Sequence, residues 1–104
     1  HAAASVASNF LITLEETAAS MLAGIGIDEP RRVLAPLVRQ SLENRTAAGA
    51  GALTGPIVRG DVETVARHRE AISSARPELL GFYDNLAERT REVAGINPGD
   101  GATG

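Results

Sequence analysis

Apolar residues recur at helical spacing in four stretches of the chain, separated by glycines, prolines and capping residues. In the first, Val6, Phe10, Leu14, Thr17 and Met21 form one line, with Ala7, Leu11, Ala18 and Leu22 beside it. Glu15 and Glu16 open a polar side only in its second half, so the segment AAASVASNFLITL is small or apolar almost all round. Such a helix is normally covered on several sides. A four-helix domain offers too few neighbours, which implies a partner surface. Gly24 and Gly26 end the helix, with Gly24 read as the residue just past its C-terminus.

Asp28 is placed to cap the second helix, with Pro30 in its first turn, where a missing N–H costs little. Val33, Leu34, Leu37, Val38, Ser41 and Leu42 give its core stripe. Pro36 lies inside that stripe and removes the hydrogen bond to the carbonyl of Arg32, so a kink is expected. Residues 47–60 read as a Gly-rich loop. Asp61 caps a third helix with Val62, Val65, Ala66 and Ile72 on one face and Glu63, Arg67 and Glu70 on the other. Pro77 stops or restarts the chain, and Leu79, Leu80, Tyr83, Leu86, Ala87, Thr90, Val93 and Ala94 make the cleanest amphipathic stripe. The pattern predicts a compact all-α domain over 1–95, with helices near 2–23, 29–46, 61–75 and 77–94. The tail, 96–104, has the composition of disorder.

Composition narrows the function. The chain has 104 residues, enough for one small domain, and no Cys, so neither disulfides nor thiolate metal sites are available. A formal charge of −3 argues against a nucleic-acid or anionic-membrane surface. Phe10, Phe82 and Tyr83 are the only aromatics, too few for a base-stacking platform. No apolar run reaches membrane-spanning length, and a cytoplasmic protein is expected. All ten basic residues are Arg, which removes Schiff-base and Lys acid–base chemistry from this chain. It begins with His1 and not Met, as an engineered, processed or fragmentary chain would.

Most familiar motifs fail on their context. Gly49-x-Gly51-x-x-x-Gly55 lacks the preceding strand and the following helix of a dinucleotide fingerprint, so no cofactor is expected to bind this chain alone. Arg59-Gly60-Asp61 is explained by Asp61 as a cap. The Asn44-Arg45-Thr46 sequon has no secretory context. Neither His follows a Glu at the spacing of a carboxylate-bridged metal site, and no nucleophile-elbow sequence occurs. His68, between Arg67 and Arg69, falls at the edge of the buried stripe near Thr64 and Ile72, where either a structural or a substrate-binding role is open. The N-terminal helix is more informative. At roughly 100° per residue, His1, Ser5, Ser8 and Asn9 share one face. They are either small residues bonded back to their own helix or a polar wall facing a ligand cleft.

HAAASVASNFL, LAPLVRQSLEN and ALTGPIVRGDVETVARH resemble the C-terminal domain of a bacterial family of Rossmann-like oxidoreductases, domain of unknown function 2520. The resemblance covers nearly the whole chain except the tail. It implies a helical domain similar to the C-terminal domains of 6-phosphogluconate dehydrogenase-like, ketopantoate reductase-like and pyrroline-5-carboxylate reductase-like enzymes. An N-terminal Rossmann domain, absent from these 104 residues, would bind NAD(P) in the parent enzyme. The helical domain would supply homodimer contacts and one wall of a cleft for a small-molecule substrate. Many of those dehydrogenases use a Lys near the start of the corresponding helix as acid/base; His1 falls at about that place and is the candidate catalytic residue. Ser5, Asn9, Thr54, Arg59 and His68 are the candidate substrate-binding residues. The segment from Thr54 to Asp61 is expected to lie near Ser5 and Asn9. The alternative is a non-catalytic helical protein–protein interaction module.

Overall fold

A computed structural model of the chain describes residues 1–96; the expected disorder of the tail lies, beyond Ile96, outside the described residues. The protein is all-α, and no strand occurs among the described residues. Helix α1 (Ala2–Ala4) passes into a π-helical turn (Ser5–Asn9) and on into α2 (Phe10–Gly24). Helix α3 spans Pro30–Ala48 and ends in a 3-10 turn, Gly49–Ala52. A short helix α4 (Pro56–Arg59) precedes α5 (Val62–Ala75), and a 3-10 turn (Pro77–Leu79) leads into α6 (Leu80–Val93). The four expected helices are therefore present. The chain divides into two compact units, His1–Glu43 and Asn44–Gly104, the division falling inside α3.

In the N-terminal unit, α2 closes at Gly26 and not Gly24. Gly26 has φ +86°, its N–H reaches the carbonyl of Ala23, and the N–H of Ile27 reaches that of Leu22. That paired closure needs a left-handed residue one step past the cap, which glycine adopts without a Cβ clash. The cap position of α3 also moves, from Asp28 to Glu29, because Pro30 is the first helical residue. The Glu29 carbonyl accepts the N–H groups of Arg32 and Val33, at φ +49°, a conformation uncommon for a residue bearing a side chain. Helix α3 continues through Pro36 as one element. Bidentate hydrogen bonds from Arg31 to Glu16, 2.7 and 2.6 Å, tie the start of α3 to the middle of α2.

In the C-terminal unit, the segment read as a loop carries two short helical turns. Leu53, Ile57 and Val58 are half-buried, and α4 packs on both α5 and α6. Gly60, at φ +69°, closes α4 as Gly26 closes α2, with the Asp61 N–H on the Pro56 carbonyl at 2.9 Å. Asp61 then starts α5, its carboxylate accepting the N–H and the hydroxyl of Thr64 at 3.1 and 2.8 Å. Arg59-Gly60-Asp61 is thus a helix stop followed at once by a helix start. Gly95 closes α6 in the same way.

The core is thin. Among the described residues, Ala19, Ile72 and Ala87 are the buried hydrophobic residues. Several positions of the expected stripes are open: Val33 and Leu37 on α3 are 58% and 64% exposed, and Val6 and Phe10 are 60% and 56% exposed. The periodicity located the helices, but four main helices in so small a protein leave apolar faces uncovered.

Candidate functional site

The six candidate residues divide between the two units. His1, Ser5 and Asn9 belong to the N-terminal unit, and Thr54, Arg59 and His68 to the C-terminal one.

Of the N-terminal group, Ser5 and Asn9 sit on the π-helical turn and His1 precedes α1. The N–H of Phe10 bonds to the carbonyl of Ser5, five residues back, while that of Ser5 bonds to His1 in the ordinary α manner. The π turn inserts the equivalent of one residue, roughly 100° of helical phase, between α1 and α2. Past it, the hydroxyls behave structurally. Thr13 donates to the Asn9 carbonyl at 3.0 Å, Thr17 to Thr13 at 2.7 Å and Ser20 to Thr17 at 2.8 Å. The side chains of Ser5, Ser8 and Asn9 make no such bond to any described residue. The back-bonded alternative therefore holds for α2 and not for the π turn. Ser5 is half-buried, and His1, Ser8 and Asn9 are exposed.

In the C-terminal unit, Thr54 is exposed on the extended stretch just before Gly55. Arg59 ends α4; its Nη2 lies 3.9 Å from Asp61 Oδ2, too far for a hydrogen bond, so its donors remain available to a ligand. Asp61 is committed elsewhere: the hydrogen bonds from the hydroxyl and N–H of Thr64 hold its carboxyl below the ordinary range. His68 is exposed on α5. Its Nδ1 lies 3.1 Å from the Tyr83 hydroxyl on α6, with the rings edge-to-face at 6.1 Å. Burial, helped by the Asp84 carboxylate, raises the Tyr83 pKa and keeps that hydroxyl protonated. The hydroxyl and Nδ1 share one hydrogen bond, its direction set by the ring tautomer. One residue on, Arg69 makes two hydrogen bonds to Asp84, at 2.8 and 2.9 Å, and these lower the Asp84 pKa. His68 is therefore one of two adjacent rungs joining α5 to α6, a structural part that helical phase alone does not reveal.

Gly49, Gly51 and Gly55 lie in and after a 3-10 turn that follows a helix, with no strand before them. Among the described residues no group of three His, Asp or Glu side chains is arranged to hold a metal ion, and no helix is long and apolar enough to cross a membrane.

The fold and these groups define an all-helical protein with a polar turn at the start of an otherwise apolar helix. Residues 1–90 match the family described as Domain of unknown function (DUF2520), and the chain belongs to that family. No curated protein and no solved structure matches the chain.

Proposed function

We propose that this chain is the helical C-terminal domain of a cytoplasmic NAD(P)-dependent oxidoreductase, 6-phosphogluconate dehydrogenase C-terminal-like in architecture. It would supply homodimer contacts and one wall of a small-molecule substrate cleft. The observation that carries the reading is the π turn. It carries Ser5, Ser8 and Asn9, without side-chain partners among the described residues, on a helix whose later hydroxyls are all bonded back. Wide turns of this kind recur at functional sites because they re-aim side chains at a cost in helix regularity.

In this reading a Rossmann domain ahead of His1 holds the nicotinamide, which supplies or takes up the hydride at a carbonyl or imine carbon. This chain's part is to handle the proton and the orientation. His1 donates the proton to the substrate oxygen or nitrogen as the hydride arrives. Ser5 and Asn9 hold the polar end of the substrate by hydrogen bonds. Arg59 binds an anionic group, Thr54 contributes a hydroxyl, and His68 offers the ring nitrogen that does not face Tyr83.

The native coding sequence supplies the first test: a strand, a GxGxxG turn and a helix must precede His1. In the full-length protein, NAD(P)H consumption with a panel of carbonyl and imine substrates should then fall in Asn9→Ala and Arg59→Ala at unchanged melting temperature. Loss of stability without a separate loss of turnover would make both residues structural. The second reading, a helical interaction module without chemistry, is favoured by the exposed Val6, Phe10, Val33 and Leu37. A start codon immediately before His1 would support it.

A further inference from the structure

Helices α2 and α3 enclose an open groove of about 370 Å³, with Leu11, Ile12, Leu34, Ala35 and Val38 along its floor. Ile12, one of its lining residues, is 60% exposed. The charges on the rim are segregated. Helix α2 carries Glu15 and Glu16 and no basic residue, whereas Arg31 and Arg39 stand on the α3 side. Glu16 and Arg31 are already spent on each other. That leaves one carboxylate, Glu15, and one guanidinium, Arg39, with no hydrogen-bond or ion-pair partner among the described residues. Glu15 is half-buried and lines the groove.

We propose that this groove is closed by the same groove of a second copy of the chain, with Glu15 of each copy paired to Arg39 of the other. A two-fold axis brings every residue of the patch against its counterpart patch, so a surface with one unpaired charge of each sign on opposite sides of an apolar floor is self-complementary. A foreign partner would have to bring the matching pair, whereas a second copy brings it by symmetry. The contact covers Ile12 and gives both remaining rim charges a partner at once. This deepens the dimer part of the reading above and is independent of the oxidoreductase chemistry.

Light scattering on the purified chain should give twice the 10.8 kDa chain mass. Glu15→Arg and Arg39→Glu should each weaken the dimer at least tenfold, and the double variant should recover it, because the exchanged charges still meet across the axis. Since the chain has no Cys, Ile12→Cys gives a clean second readout that does not depend on the charge variants folding. A short thiol cross-linker should join two copies at position 12 and should fail at a Glu70→Cys control. A monomer at millimolar concentration would overturn the proposal together with the dimer reading. A dimer indifferent to both charge variants, or cross-linking at neither or both cysteine positions, would overturn this groove and leave the dimer reading standing. Turnover in the full-length protein tests the cleft separately.

Discussion

At Asp61 a single carboxylate ends one element's influence and begins the next. Its backbone N–H closes α4 and its side chain opens α5. Asp61→Ala removes the cap and should lower the melting temperature by about 5 °C. Asp61→Asn keeps an acceptor for the Thr64 N–H and should cost much less at neutral pH. The folded pKa of Asp61 is depressed by the Thr64 hydrogen bonds, so its charge contributes stability above the unfolded-state value of 3.8 and loses it as pH falls through the folded value. An acid titration followed by circular dichroism should therefore show a shallower loss of stability below about pH 4 in Asp61→Asn than in the parent. Glu29 presents the opposite case, a side chain where the backbone prefers none. At φ +49° directly before Pro30, it occupies a region that Asn tolerates better. Its ion pair with Arg32, 3.6 Å long and exposed, offsets little of that strain. Glu29→Asn should stabilise the protein by about 0.5–1 kcal/mol in urea denaturation.

At the scale of elements, periodicity and punctuation located every long helix, and the differences lie where backbone closure decides. Gly24 and Gly26 are equivalent as letters; only the paired hydrogen bonds to Ala23 and Leu22 select Gly26. Asp28 lost the cap position to Glu29 because Pro30 starts the helix itself. The turns of Gly49–Ala52 and Pro56–Arg59 are too short to carry a period, so a Gly-rich composition reads as loop. The π turn was equally illegible: Ser5 to Asn9 fit an α pattern, and one inserted residue in a run of small side chains leaves no mark. Asp61 as a cap was legible, and so was the packing need of Leu53, Ile57 and Val58. His68 was placed on the right helix, but its partner Tyr83 lies fifteen residues away, beyond any local rule. A double-mutant cycle of His68→Ala and Tyr83→Phe should give a coupling of about 0.5 kcal/mol, the low end for a hydrogen bond because the histidine is exposed. Zero coupling would mean that Tyr83 does not hold the ring.

For the whole molecule, the question is which part of the proposed oxidoreductase chemistry these residues could perform unaided. Dinucleotides are held where a strand delivers a glycine turn to a helix N-terminus, so that backbone N–H groups converge on the pyrophosphate. The glycine run of this chain is delivered by α3, passes through a 3-10 turn and meets Pro56, which has no N–H to offer. The short helix that follows has four residues and ends against Asp61, whose carboxylate would repel a phosphate. The polar turn at Ser5–Asn9 lacks any basic side chain, since the first Arg of the chain is Arg31. Neither segment can neutralise two phosphate charges. Calorimetry of the 104-residue chain with NADH and with NADPH should therefore show no heat of binding at micromolar to millimolar ligand, whereas a protein that carries the proposed Rossmann domain should bind one of them. Micromolar binding to the isolated chain would move the site to Gly49–Gly55 and overturn the proposed division of labour, in which this domain handles substrate and proton and leaves the cofactor to another.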